Sequence, residues 1–274
     1  MAIQTFKRYE KKYLMAASDL PSLIAALSPY MDPDPYCIDG NGYIIHNVYY
    51  DTDNFHVIRA SNMKPVYKEK LRLRSYYDNL SDEDTVFLEL KKKIGGIVNK
   101  RRIGLKIREI DSFISNPTLI DCITEDISLP YLKRQIMNEI KYFLSRYQAK
   151  PAAYISYRRL AFFYRDNKEI RITFDTDLKY NFDHPSLQNT QHYISILDDN
   201  VVLAEVKIIG AFPIWLANIF SDFGLRKTSF SKYGTAYEMH RFNQDRIFDK
   251  YRLSSPDCII NLSRKVNEHY GITI

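Results

Sequence analysis

Four cations stand at alternate positions of the segment YKEKLRLRSYY: Lys68, Lys70, Arg72 and Arg74. In an extended strand successive side chains point to opposite faces, so these four share one. Like charges crowded on a single face repel and gain nothing for folding. A solvated face, or a sheet edge guarded by lysines, is one reading of such a row. A face built to bind a multiply charged anion is the other. The pattern recurs along the chain. In VFLELKKK, Glu89, Lys91 and Lys93 share one face while Leu88 and Leu90 take the other. In RYEKKYL, Arg8, Glu10 and Lys12 align. In EIRITFDTDL, Arg171, Thr173, Asp175 and Asp177 oppose Ile170, Ile172 and Phe174, and in VVLAEVKII, Glu205 and Lys207 oppose Ala204, Val206 and Ile208. Cations outnumber acids on these polar faces, which weakens the purely structural reading.

Gathering that many cations in a partly dry space is unfavourable unless an anion enters, and a phosphate chain is the natural counter-charge. The few carboxylates, Glu10, Glu89 and Glu205, then accept hydrogen bonds from neighbouring lysines or hold a divalent metal through hard oxygen atoms. Other chemistries find no support. There is no GxxxxGK[ST] phosphate loop, no GxGxxG, no HExxH and no CxxC. The histidines, among them His46, His56 and His184, lack ligand spacing. Gly95 and Gly96, in KKKIGGIVNKRR, read as a hairpin turn between cationic strands. Of the aromatics, Tyr157, beside Arg159, is the one to place near a base or ribose.

The elements that must position these residues follow from periodicity. Helical spacing is expected over 19–30, 116–126, 131–147 and 214–223. Period-two alternation predicts strands over 6–15, 42–50, 67–77, 85–93, 154–164, 169–178, 191–197 and 201–209. Connections are mostly meander-like, so the expected class is α+β and antiparallel. If amphipathic helices cover the apolar faces, the cationic faces point inward across a closed β-barrel, a positive tunnel with helices packed outside. With 274 residues and 45% hydrophobic content the chain can bury a sizeable core, so one domain is expected over 1–242, with 243–274 as a helical extension of it.

The net charge of +6 again favours an anionic partner. Cys37, Cys122 and Cys258 are distant from one another, odd in number and without metal-ligand spacing, which suits a reducing compartment and a cytoplasmic protein. Residues 1–12 contain no apolar core of a secretion signal. The apolar stretch 208–225 is interrupted by Gly210, Pro213, Ser221 and Asp222, so it is expected to form a loop and a buried helix, not a membrane span.

Taken in order, RYEKKYL, KLRLRSY, FLELKKK with VNKRR, YRRLAF, RITFDTDL, LAEVKI and FSKYGTAY resemble the motifs of the vacuolar transporter chaperone (VTC) domain, a branch of the CYTH or triphosphate tunnel metalloenzyme superfamily. The motifs run from Arg8 to Tyr237. The resemblance implies an antiparallel tunnel barrel and a polyphosphate polymerase that transfers the terminal phosphoryl group of ATP to a growing chain with Mn²⁺ or Mg²⁺. It implies phosphate contacts for Lys12, Arg72, Arg74, Lys91, Lys100, Arg159, Arg171 and Lys232, with Lys207 and Ser231 beside them, and a metal at Glu205. Arg72, Arg74, Lys91, Arg159, Arg171 and Lys232 are the expected catalytic set; the charge row adds Lys70, and the VNKRR segment adds Arg102. Glu89 and Glu10 are further metal candidates. Arg8 stands where the hydrolytic and cyclase branches usually place the first of two glutamates, which favours the polymerase branch. A triphosphatase on the same fold and a non-catalytic polyphosphate-binding module are the alternatives. The expected partners are ATP or another triphosphate and polyphosphate, with no nucleic acid, and a separate membrane protein at the inner face of a membrane.

Overall fold

The polar–apolar alternation of the sequence becomes strands with two unlike faces, and helices cover the apolar one. The computed structural model describes residues 8–37, 39–95, 97–115, 130–188 and 192–243. In chain order its elements begin with β1 (Arg8–Ala16), α1 (Leu20–Leu27), β2 (Met31–Pro33), β3 (Tyr43–Asp51) and α2 (His56–Asn62). They continue with β4 (Tyr67–Ser75), β5 (Thr85–Ile94), β6 (Ile97–Lys106), α3 (Ile107–Ser115) and α4 (Tyr131–Tyr147). The last are β7 (Lys150–Tyr164), β8 (Arg171–Asn181), β9 (Ile194–Ser195), β10 (Val201–Ile209), α5 (Ile214–Asp222), β11 (Lys227–Thr228) and α6 (Lys232–Asn243).

The chain divides into two compact units, Met1–Tyr43 with Tyr157–Lys179 and Ser195–Ile274, and Ile44–Ser156 with Tyr180–Ile194. In the first, β1 pairs antiparallel with β10 along its whole length, from Arg8 opposite Ile209 to Ala16 opposite Val201. β10 pairs with β8, from Leu203 opposite Asp175 to Lys207 opposite Arg171, and β11 adds to the free side of β1. The apolar faces bury Met15, Ile172, Phe174 and Val206 against Leu23 and Leu27 of α1 and Leu216 and Phe220 of α5.

In the second unit β3, β4, β5 and β6 form an antiparallel meander. Leu71, Leu73, Leu88, Leu90 and Ile103 form its apolar face and pack with Ile136, Met137, Ile140 and Phe143 of α4 and Phe113 of α3. The i, i+4, i+7 spacing of the α4 residues makes one continuous stripe. Gln148, with φ 48°, ends that helix in the left-handed region. The Tyr147 hydroxyl donates to Glu69 at 3.0 Å, which ties the helix end to β4 and satisfies a buried carboxylate.

The α+β class and antiparallel order are as expected, but the closed barrel is not. The strand path runs β11-β1-β10-β8-β7-β3-β4-β5-β6, and among the described residues no pairing joins β6 to β11. Closure requires two edge strands long enough to share a ladder. β11 is Lys227–Thr228 alone, too short to complete one.

Helices at 20–27, 131–147 and 214–222 match the periodicity; the expected 116–126 helix and all of the expected 243–274 extension beyond Asn243 lie outside the described residues, as do Cys122 and Cys258. Cys37 is buried and forms no disulfide among the described residues. Gly95 makes the expected turn with φ 53°. Gly42, with φ 67°, has the Arg159 carbonyl oxygen 2.2 Å from where a β-carbon would sit, so only glycine lets β7 approach so closely there. Among the described residues no helix is long and apolar enough to cross a membrane.

Candidate functional site

Each unit carries its own cluster of cations. In the second unit the register places Lys68, Lys70, Arg72 and Arg74 of β4 opposite Lys93, Lys91, Glu89 and Phe87 of β5. These in turn lie opposite Val98, Lys100, Arg102 and Gly104 of β6. Directly paired residues share a face. This face therefore bears eight cations, the lysines 68, 70, 91, 93 and 100 and the arginines 72, 74 and 102, against the single carboxylate of Glu89. Four of them converge on it. Arg72 Nη2 lies 2.7 Å and Arg74 Nε 3.7 Å from Glu89 Oε2; Lys100 Nζ lies 2.6 Å and Arg102 Nε 3.5 Å from Oε1. Glu89 itself is 1% exposed.

Neighbours fix the guanidinium planes. Arg72 donates to the Tyr49 hydroxyl at 3.2 Å, Arg74 Nε donates to Asn47 Oδ1 at 3.0 Å, and Arg102 stacks 3.5 Å above the Phe87 ring. Burial works against the charge of Glu89, yet Arg72, Arg74 and Lys100 outweigh it and hold its carboxyl well below the usual range. Lys100 responds the other way: burial of its amine, with repulsion from Arg72 and Arg74, overcomes Glu89 and lowers its pKa to about 8.

In the first unit the polar faces of β1, β10, β8 and β7 meet the start of α6. Arg159 grips Asp175 with two hydrogen bonds, Nε to Oδ1 at 2.6 Å and Nη2 to Oδ2 at 2.7 Å, and Lys232 Nζ contacts the same carboxylate at 2.5 Å. Burial would raise the pKa of Asp175, but Arg159 and Lys232 lower it on balance. Lys207 lies 2.7 Å from Glu205, and Lys12 lies 3.6 Å from Glu205 and 3.2 Å from Glu10. Lys12 also donates to the Phe230 carbonyl at 2.9 Å. Burial opposes the charge on Lys12, but Glu205 and Glu10 prevail and raise its pKa. Burial and the nearby Arg159 lower that of Lys207 despite Glu205.

Each site residue expected from the sequence thus falls in one cluster or beside it. Arg171 stands slightly apart, donating to Asp34 at 3.2 Å and to the Tyr43 hydroxyl at 3.3 Å. Ser231 caps α6, its hydroxyl accepting from the Gly234 amide at 3.2 Å. Tyr157 is 2% exposed, and its ring lies 4.5 Å from the Lys232 amine and 5.1 Å from the Arg159 guanidinium. Two residues outside the expected site are central. Asp175 joins Arg159 to Lys232, and Thr173, opposite Glu205 in the register, has a buried hydroxyl that finds no hydrogen-bond partner among the described residues. Both lie on the polar face of RITFDTDL, so alternation marked them although their types did not.

The VTC domain family model matches residues 7–241. The chain therefore belongs to the VTC domain family. It is 28% identical over 205 residues to the vacuolar transporter chaperone complex subunit 4 of Trypanosoma brucei brucei (strain 927/4 GUTat10.1), and 27% identical over 205 residues to that of Trypanosoma cruzi (strain CL Brener). Each match covers 64% of this chain and 26% of the relative, so the matched part is about a quarter of those proteins. A solved protein of Vibrio parahaemolyticus, provisionally named an adenylate cyclase, aligns with 85% of this chain and 99% of its own at 12% identity and a TM-score of 0.46. At that score the likeness supports no functional argument.

Proposed function

We propose that this domain is a polyphosphate polymerase that moves the terminal phosphoryl group of ATP onto an inorganic polyphosphate chain. The observation that carries the reading is the face of β4, β5 and β6, where eight cations stand against the single carboxylate of Glu89. Such a face is stabilised by an anion that carries several charges spaced along its length, as a phosphate chain does. Family membership supports the same reading.

In the transfer, the bond between the γ-phosphorus and its bridging oxygen breaks, a terminal oxygen of the chain forms the new P–O bond, and ADP leaves. Phosphoryl transfer is catalysed chiefly by positioning and charge stabilisation. Arg72 and Arg74, held rigid by Tyr49 and Asn47, present fixed donors to phosphate oxygens, and Lys70, Lys91, Lys100 and Arg102 extend that surface along the face. Arg159, Lys232, Lys207 and Lys12 do the same in the other cluster, with Arg171 beside them.

A divalent ion fits best at Glu10 and Glu205. These carboxylates both contact Lys12, and the Thr173 hydroxyl beside Glu205 has no hydrogen-bond partner among the described residues. Among the described residues no group of three or more His, Cys, Asp or Glu side chains could hold a metal, so phosphate oxygens and water would complete the shell of Mg²⁺ or Mn²⁺. Glu89, already ringed by four cations, is the poorer ligand. When bound, the ion supplies positive charge to phosphate oxygens. Because the relatives are named as subunits of a complex, partner subunits, including a membrane protein, are part of the proposal.

The test is to incubate purified protein with ATP and Mg²⁺ or Mn²⁺ and follow polymer on a gel beside free phosphate. Polymer that disappears in Arg72→Ala and Lys232→Ala, with the folded circular-dichroism spectrum retained, is the expected result. Phosphate without polymer would assign a triphosphatase instead. Tight polyphosphate binding with neither product would assign a binding module.

A further inference from the structure

Five exposed apolar residues of the second unit gather at one end of its meander. Met63 and Val66 are 78% and 77% exposed, Ile94 54%, Ile97 44% and Tyr67 42%. The register brings them together: Tyr67 pairs with Ile94, Ile94 pairs with Ile97 across the β5–β6 turn, and the Gly95 amide donates to the Val66 carbonyl at 2.9 Å. Met63 follows α2 directly and is three residues from Val66. Single exposed apolar side chains are ordinary, but five on one hairpin end are not. Nothing in the reaction proposed above uses them.

On the face that carries Lys68, the charge behind this tip is of one sign. Lys68 lies opposite Lys93, and its amine donates to the Ser61 carbonyl at 3.2 Å. Burial, then the charges of Lys93, Lys64 and Lys91, lower the basicity of Lys68. Lys64 itself is exposed in the turn between Met63 and Val66.

We infer that the hairpin tip is a membrane-docking surface: Met63, Val66, Tyr67, Ile94 and Ile97 enter the boundary between headgroups and acyl chains of an anionic bilayer while Lys64, Lys68 and Lys93 meet its headgroups. An apolar end backed by cations is the chemistry of interfacial binding to acidic lipid. A soluble anion would satisfy the lysines and leave the apolar end in water. A tyrosine at the edge of the tip suits the interface, with an apolar ring and a polar hydroxyl.

The experiment is cosedimentation of the whole chain with vesicles of phosphatidylcholine alone and with about 30% phosphatidylserine. The wild type is expected to bind the acidic vesicles and not the neutral ones. The double variant Val66→Asp, Ile94→Asp is expected to bind about ten-fold more weakly, with the melting temperature and polymer synthesis of the wild type, because both positions are exposed. Lys64→Glu should weaken binding and shift its dependence on salt. Absence of wild-type binding would overturn the proposal. Equal binding by the double variant would also overturn it, by assigning the lipid contact to the cationic strand face. Self-association abolished by the same substitutions, without vesicle binding, would make the tip a protein interface and overturn it as well.

Discussion

At Lys100 two opposing influences meet in one amine. Burial and the neighbouring Arg72 and Arg74 disfavour its charge while Glu89, 2.6 Å away, favours it, and its pKa settles at about 8. The free protein therefore loses a cation from its anion-binding face as pH rises through 8. The affinity for tripolyphosphate should fall above that pH by up to about ten-fold per unit. In Lys100→Arg the charge persists, so the ratio of the two affinities, in which the ligand's own ionisation cancels, should widen only above pH 8. A ratio independent of pH between 7 and 9.5 would show that Lys100 does not meet the ligand. Alternation in the sequence placed Lys68, Lys70, Arg72 and Arg74 on one face and Lys91 and Lys93 on another, whereas Lys100 was named only through the family resemblance, because alternation predicted no strand over 97–106. The partners of each cation were hidden, because which carboxylate a lysine meets depends on strand order: Asp175 serves Arg159 from the next strand and Lys232 from a helix some sixty residues on, a distance no local pattern spans.

The elements owe their positions to burial more than to charge. α4 holds its unit's strands through Ile136, Met137, Ile140 and Phe143, the last three without exposed surface. Phe143→Ala should destabilise the protein by about 3–5 kcal/mol through lost burial and the remaining cavity, read as a lower urea midpoint with unchanged slope. A loss under about 1 kcal/mol would mean that α4 is not part of the cooperative core. This helix was legible because its stripe is long and unbroken, and its bounds, 131–147, are those the periodicity gave. α2, α3 and α6 were not foreseen. α2 spans seven residues with too few turns to show a period, and α6 mixes Tyr233, Ala236 and Tyr237, all buried, with polar residues that face other groups. The barrel expectation failed for a related reason: alternation reveals that a strand has two faces but says nothing of whether the last strand finds the first.

For the molecule as a whole, Glu89, Glu205 and Asp175 link acid stability to the clusters, since all three carboxyls titrate below their ordinary range in the folded state. A carboxylate with a depressed folded pKa adds stability above its unfolded pKa and loses it as pH falls through the folded one. The urea midpoint should therefore hold near constant from pH 7 to about 5 and decline below about 4; a maximum near pH 4 would contradict this. Lys100 contributes with the opposite sign, because its lowered pKa penalises folding while it is protonated, and that penalty fades as pH rises from about 8 toward the ordinary lysine value of 10.5. The β1–β10 ladder, which joins Arg8–Ala16 to Val201–Ile209, has a consequence for synthesis on the ribosome. The meander of β3 to β6 can assemble as soon as its own residues emerge, but β1 waits for a partner nearly two hundred residues behind it. During that interval β1 is a strand with an open edge. Its alternating Glu10 and Lys12, read above as ligands for phosphate and metal, also keep the waiting segment charged, so the same side chains guard the nascent chain against pairing with its neighbours.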